Sequence, residues 1–186
     1  MDSQEGIYKN LNQEIIDECK TGDQKAQFRL YKLYYKSMYN VSLRIIRDPV
    51  ESEDVMQESF LAAFEKIDTY KGNVSFGAWL KRIVVNRSLD VLRKRKADWY
   101  DMEDPSVQIP EQEDVGKDED IDLKVEAIKE TLSQLPDGYR VVLSLYLFEG
   151  YDHDEIGKIL SISSSTSRSQ YTRAKQKLLE LMRNKV

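Results

Sequence analysis

Cysteine, histidine, glycine and proline are all scarce in this chain of 186 residues. One cysteine, Cys19, excludes an internal disulfide, and together with one histidine, His153, it provides no ligand set for a structural zinc. We therefore expect no metal and no other cofactor. Glycine numbers 8 and proline 4, whereas charged residues reach 33%. This balance favours helices over strands and turns.

Long apolar runs are also absent. No segment approaches the roughly 18 apolar residues that a membrane span needs, and residues Met1 to Asn10 lack the basic and then apolar pattern of a signal peptide. We expect a cytoplasmic protein with no membrane insertion.

Charge is strongly segregated along the chain, although its net value is only −5. Lys81 to Lys96 holds seven bases and one acid, and Arg168 to Lys185 holds six bases and one acid. Between them, Asp98 to Asp120 holds ten acids, one base and two prolines. Because this acidic stretch has little to bury, it predicts a flexible linker at 98–120. The predicted fold is all-α, with two small helical domains at 11–97 and 121–186.

Apolar spacing predicts a helical bundle in the front domain. One helix should bury a face with spacings of three and four: Phe28, Tyr31, Tyr35, Met38, Ser42 and Ile45. A second helix is expected from near Ser52 or Glu53, and a third from near Ser75, whose hydroxyl can cap free backbone N–H groups. The second helix carries Asp54, Gln57 and Glu58 on an outer face. That face either docks a basic partner or is simply solvated.

The segment from Tyr70 to Trp79 combines aromatic rings with lysine and precedes the basic helix. Aromatic rings stack on exposed bases while lysines and arginines hold the backbone, which suggests contact with single-stranded nucleic acid. The alternative is that Phe76 and Trp79 are core residues and that the basic end only aids solubility.

Apolar spacing and turn residues predict four helices in the rear domain. They are a helix over 121–135, a second from Tyr139 to Phe148, a short helix after Asp152 and a long helix from about Ser164. The last two, joined by a brief turn, form a helix-turn-helix pattern, whose second helix enters the major groove of DNA. On that helix Thr166, Gln170, Arg173 and Lys177 share the outer face, while Ser164, Ser165 and Lys175 suit phosphate contacts. The alternative is the solvated face of an ordinary helical hairpin.

Acids at the start of the short helix superficially resemble a metal or acid–base site. Asp152, Asp154 and Glu155 flank His153 there, but acids at a helix start stabilise the helix dipole and satisfy free N–H groups. Without a phosphate-binding glycine loop or a nucleophile–base pair, the sequence predicts no enzyme.

Three motifs in order resemble the extracytoplasmic-function (ECF) group of bacterial sigma factors. They are Glu53-Asp54-Val55-Met56-Gln57-Glu58-Ser59-Phe60; Phe76-Gly77-Ala78-Trp79-Leu80-Lys81-Arg82-Ile83 with Asn86 and Asp90; and Leu135-Pro136 followed by Asp154 to Leu160 and Ser165 to Lys175. The chain departs from the family's pattern at Ser167, where an apolar residue is common, and at Gln170, where many members have arginine. The promoter sequence is therefore not predicted.

The resemblance implies a sigma factor that directs core RNA polymerase to promoters and helps open the duplex. It implies that Asp54, Gln57 and Glu58 bind the clamp of the polymerase β′ subunit, and it makes an anti-sigma factor an expected partner. Contacts to the minus-ten element are implied for Tyr70, Lys71, Asn73, Phe76, Trp79, Lys81, Arg82, Asn86 and Arg87. Contacts to the minus-thirty-five element are implied for Ser164, Ser165, Thr166, Arg168, Gln170, Arg173, Lys175 and Lys177.

Two other hypotheses stay open at this point. A stand-alone helix-turn-helix regulator would bind a symmetric operator by itself, using the front bundle for dimerisation or sensing. A helical adaptor would bind only proteins through its acidic and basic faces.

Overall fold

The computed structural model describes residues 12–95, 128 and 130–183. These residues form two compact units, one within 1–95 and the other within 96–186. All regular structure in the described ranges is helical. The acidic stretch 98–120 lies outside the described residues, as does most of the helix predicted over 121–135.

Four helices build the front domain: α1 Gln13–Lys20, α2 Gln24–Ile46, α3 Pro49–Glu65 and α4 Phe76–Arg95, with a 3-10 turn at Ile67–Thr69. Helix α2 packs against α1, α3 and α4, and α3 packs against α4. The core is lined mainly by Leu30, Met38 and Ile45 of α2, Phe60 of α3, and Leu80, Val84 and Leu89 of α4.

The connection between α2 and α3 explains why the second predicted helix starts earlier than expected. Arg47 ends α2 in the left-handed conformation, with φ of 64°, and the Asp48 carboxylate then accepts a hydrogen bond from the Glu51 N–H at 2.9 Å. Pro49 occupies the first turn, where its missing N–H costs nothing. The predicted start near Ser52 or Glu53 was therefore three to four residues late.

The predicted buried face of α2 is confirmed at three of its six positions, while Tyr31 and Tyr35 are half-buried and Phe28 is exposed. Met38, Ser42 and Ile45 are buried, but Phe28 is 61% exposed and its ring lies under the Lys32 ammonium at 5.4 Å. The Ser42 hydroxyl accepts a hydrogen bond from the Ser88 hydroxyl of α4 at 3.1 Å, so this buried polar group has a partner.

The rear domain contains α5 Asp137–Leu143, which continues into a π-helical turn at Ser144–Phe148, then α6 His153–Leu160 and α7 Ser164–Arg183. Residues 128 and 130–132 are also helical. Both α5 and α6 pack against α7. The core cluster comprises Leu132, Leu135, Leu143, Ala174 and Leu178.

The short helix α6 begins and ends as the sequence predicts. The Asp152 carboxylate accepts hydrogen bonds from the backbone N–H groups of Asp154 and Glu155, and the Glu155 carboxylate accepts one from the Asp152 N–H. This capping box confirms the structural interpretation of the acids at this helix start.

Candidate nucleic-acid and protein interfaces

The acidic surface of the front domain lies on α3. Asp54, Gln57 and Glu58 are all exposed, at a spacing that places them on one face of the helix. Leu61, three residues beyond Glu58, is 64% exposed on the same face. A surface with an apolar side chain beside two carboxylates suits a basic protein partner better than it suits DNA, whose phosphates these acids would repel.

The loop before α4 presents a different surface. Gly72 adopts φ of +76°, a conformation that glycine tolerates best, and the loop exposes Lys71, Asn73 and Val74. The Tyr70 hydroxyl donates a hydrogen bond to the Val74 carbonyl at 2.6 Å, which closes the loop on itself.

The aromatic residues beside this loop form a packed cluster. The Phe76 ring centroid lies 5.5 Å from those of Tyr70 and Trp79 and 5.6 Å from that of Tyr34. Tyr70 is 3% exposed and Phe76 is fully buried, whereas Trp79 is half-buried. The expectation that Tyr70 and Phe76 contact DNA directly therefore needs correcting, because the core encloses both rings. Phe76 agrees with the alternative in which it is a core residue. The rings of Tyr70 and Phe76 form part of the core next to the loop.

The basic helix α4 offers Arg82 and Asn86 as exposed side chains, one turn apart, with Lys81 and Arg87 half-buried. Three bases predicted for this segment are engaged by acids: Arg87 with Glu58 at 2.9 Å, Arg93 with Asp90 at 2.9 Å, and Arg95 with Glu51. Exposed ion pairs of this kind contribute about 0–1 kcal/mol to the stability of the fold. A DNA phosphate can therefore replace the acid as the partner of the base at small cost. Sequence reasoning missed the Glu58–Arg87 pair because its members stand 29 residues apart.

The rear domain has the geometry of a helix-turn-helix. Ser161 ends α6 in the left-handed conformation, with φ of 59°, and the Ile162 N–H returns to the Gly157 carbonyl at 2.9 Å. The Ser163 hydroxyl then accepts a hydrogen bond from the Thr166 N–H at 3.0 Å, which caps α7. The turn is therefore held at both ends by hydrogen bonds.

Most of the residues predicted to contact DNA from α7 are accessible. Arg168, Lys175 and Lys177 are exposed, and Thr166, Gln170 and Arg173 are partly exposed. Ser165 is exposed and its hydroxyl lies 2.8 Å from that of Ser163. Ser164 is the exception, because its hydroxyl is buried without a hydrogen-bond partner among the described residues. The prediction that it contacts phosphate is therefore not supported.

Ser167 lies within α7 and is fully buried. Its Oγ is 2.9 Å from His153 Nδ1, so the serine found where the family commonly has an apolar residue has a polar partner. Sequence analysis marked Ser167 as a departure from the family's pattern but did not identify His153 as its partner.

Comparison with known proteins matches both domains to one family. Residues 30–98 match Sigma-70 region 2, and residues 125–178 match Sigma-70, region 4. The ECF RNA polymerase sigma factor SigW of Bacillus subtilis (strain 168) is 31% identical over 178 residues, covering 91% of this chain and 95% of the relative. This chain belongs to the ECF group of RNA polymerase sigma factors.

Two further comparisons agree with this family assignment. The RNA polymerase sigma-H factor of Pseudomonas aeruginosa is 27% identical over 179 residues, covering 91% of this chain and 93% of the relative. Among solved structures, the sigma factor RpoE in complex with the anti-sigma factor NepR from Bartonella quintana shares the fold, with a TM-score of 0.57 and 22% identity over 83% of this chain and 95% of that one. Among the described residues of this ECF sigma factor, no helix is long and apolar enough to cross a membrane.

Proposed function

We propose that this protein recruits core RNA polymerase to a subset of promoters, recognises their minus-ten and minus-thirty-five elements, and helps open the duplex in the cytoplasm. Polymerase supplies the bond chemistry, and the sigma factor itself acts without a catalytic site. The observation that carries the proposal is the match of both domains, in order, to Sigma-70 regions 2 and 4. We propose that the two domains span 11–97 and 121–186 and that 98–120 links them.

The acidic face of α3 is the proposed polymerase-binding surface. Its core is Asp54, Gln57 and Glu58, and exposed Leu61 adds an apolar contact. Charged groups in an interface set its orientation and association rate, and an apolar side chain beside them adds area that is removed from water. The proposed partner is the β′ clamp of the polymerase.

The minus-ten element is proposed to meet the loop exposing Lys71 and Asn73 and the α4 face exposing Arg82 and Asn86. Half-buried Trp79, Lys81 and Arg87 border this surface. Tyr70 and Phe76 support it from the core.

The outer face of α7 is proposed to read the minus-thirty-five element. Gln170 and Arg173 offer bidentate contacts to adenine and guanine, while Arg168, Lys175 and Lys177 neutralise phosphates. Thr166 and Ser165 lie at the helix start, where hydroxyls can reach the DNA backbone. Because each DNA-binding surface is small, useful affinity requires polymerase to hold both at the promoter together.

A stand-alone regulator is the less favoured hypothesis, since it gives no account of the front domain's match to Sigma-70 region 2. The proposal is tested by competition for core polymerase. The full chain should displace a fluorescently labelled, well-characterised sigma factor from bacterial core enzyme, because sigma factors share one docking site. Failure to displace it, while an unlabelled copy of that sigma factor does, would favour the stand-alone regulator or the adaptor.

An anti-sigma factor is proposed as a further partner, because a solved relative with the same fold is bound to one. The chain purified from the cells that make it should carry a protein that lowers its transcription with core polymerase, and removal of that protein should restore activity. Full activity of the chain as purified from such cells, with no associated protein, would contradict this part of the proposal.

A further inference from the structure

His153 and Ser167 join the two helices of the helix-turn-helix through a buried polar contact. Ser167 is fully buried one turn into α7, and its Oγ lies 2.9 Å from Nδ1 of His153, the first residue of α6. A serine hydroxyl buried in an apolar interface is costly unless it is hydrogen-bonded. The histidine therefore satisfies a group that would otherwise destabilise the start of α7.

Aromatic contacts hold the histidine ring in place. It stacks on Tyr146 of the π-helical turn, with centroids 4.7 Å apart and planes at 19°, and meets Tyr171 of α7 edge-on at 5.5 Å. The rings of Tyr146 and Tyr171 also contact each other, with centroids 4.6 Å apart. Burial raises the pKa of Tyr171, and neighbouring Tyr146 raises it further. Contacts with the π-helical turn and with α7 thus fix the direction in which His153 presents Nδ1.

The position of Ser167 determines what this contact controls. Gln170 follows it by three residues and Arg173 by six, and in a helix of about 3.6 residues per turn the direction of one side chain sets the directions of the others. A hydrogen bond has a preferred direction, whereas an apolar side chain at 167 would fill the same space without one.

We propose that His153 and Ser167 form a positioning pair that sets the rotation of α7 and so aims Gln170 and Arg173 at base edges. This inference rests on the proposed role of α7 as the reader of the minus-thirty-five element. The pair itself does not touch DNA. It makes sequence discrimination depend on a contact that lies about 60° around the helix from Gln170 and about 120° from Arg173.

Three single variants separate the hydrogen bond from the packing. Ser167→Ala removes the hydroxyl, and His153→Phe keeps an aromatic ring for Tyr146 and Tyr171 but removes the nitrogen. His153→Asn keeps a polar atom near the place of Nδ1 while losing the ring. The double variant His153→Phe with Ser167→Ala tests whether the two residues act as a unit.

The experiment uses the full chain with core polymerase and measures the rate of transcription from two promoters. One carries the minus-thirty-five element that the parent protein prefers, and in the other that element is scrambled. Selection from a random promoter pool first identifies the preferred element. Ser167→Ala and His153→Phe should each lower the ratio of the two rates about threefold to tenfold, the effect of one lost hydrogen bond. His153→Asn should fall between the parent and His153→Phe, because it keeps a hydrogen-bonding atom but loses the ring contacts that orient it, and the double variant should be no worse than either single variant. Affinity for core polymerase and the rate on the scrambled promoter should not change.

Unchanged discrimination in Ser167→Ala and His153→Phe would overturn the positioning role, as would an equal loss in His153→Asn and His153→Phe. Loss of polymerase binding and of all transcription would show a merely structural contact and overturn it too. A parent protein that transcribes both promoters equally would instead refute the proposed role of α7, and the inference with it.

Discussion

At the scale of single residues, Gly157 shows how closely the helix-turn-helix is packed. A Cβ atom at this position would lie 2.8 Å from the Ile162 carbonyl oxygen, which belongs to the backbone of the turn and cannot rotate away. The Ile162 N–H also bonds to the Gly157 carbonyl, so the turn and α6 are tied together at this point. The sequence alone gave no sign of this close approach, since Gly157 lies inside a helix.

Gly157→Ala should therefore destabilise the rear domain by about 1–3 kcal/mol, despite the higher helix propensity of alanine. Urea unfolding followed by circular dichroism measures the change. Lys158→Ala, at an exposed position in the same helix, is the control and should shift the free energy of unfolding by less than about 0.5 kcal/mol. A neutral or stabilising Gly157→Ala would contradict the close approach.

Cys19 provides a second prediction at this scale. Burial raises the pKa of its thiol to about 11 from 9.0, with Asp23 adding to the shift. Because the thiolate is the reactive form, iodoacetamide at pH 8 should label the native protein far more slowly than the urea-unfolded protein. Since the folded state holds this proton more tightly, the thiol's contribution to stability is present below pH 9 and is lost as the pH rises towards 11. Equal labelling rates would show that the thiol is accessible.

At the scale of elements, periodicity predicted the helices well because burial follows spacing, but it located their ends less well. The start of α3 depends on the Asp48 cap and on Pro49 in the first turn, and the predicted start near Ser52 or Glu53 made no use of either residue. Periodicity also placed Phe28 inside, although its ring, near the start of α2, is exposed. Contacts between distant segments, such as Glu58 with Arg87, have no signal in local spacing.

The acidic face of α3 leads to a prediction about polymerase binding. Asp54→Asn together with Glu58→Gln removes two charges without changing shape, and should weaken binding to core polymerase about tenfold or more, as loss of central interface residues does. The matched control is Glu14→Gln with Asp17→Asn on α1, which removes the same charge from exposed positions and should have little effect. Equal effects of the two pairs would indicate that net charge, rather than this face, governs binding.

Helix α7 leads to a prediction about DNA. Arg173→Ala should lower discrimination at one position of the minus-thirty-five element by about 1–3 kcal/mol, because it removes a bidentate base contact. Lys175→Ala should instead weaken binding to all sequences alike and reduce its salt dependence. The comparison requires holoenzyme binding to promoter variants at several salt concentrations. A uniform loss for Arg173→Ala would assign that residue to phosphate contact.

At the scale of the whole molecule, charge segregation was the most informative property of the sequence. A net charge of −5 conceals two basic segments, and their described residues lie on α4 and on α7, both proposed to meet DNA. The all-helical class and the helix-turn-helix could be predicted because they depend on composition, caps and spacing. The fate of individual side chains could not: Tyr70, Phe76 and Ser164 carry groups suited to nucleic acid, yet tertiary packing buries the two rings and the serine hydroxyl.

Transcription in vitro by bacterial core RNA polymerase on a pool of genomic promoter fragments, with and without the full chain, tests the central claim most directly. The account predicts starts at specific promoters that appear only when the protein is added, and whose upstream sequences share two elements. Absence of new starts, with the polymerase and the pool shown to be competent by another sigma factor, would contradict it.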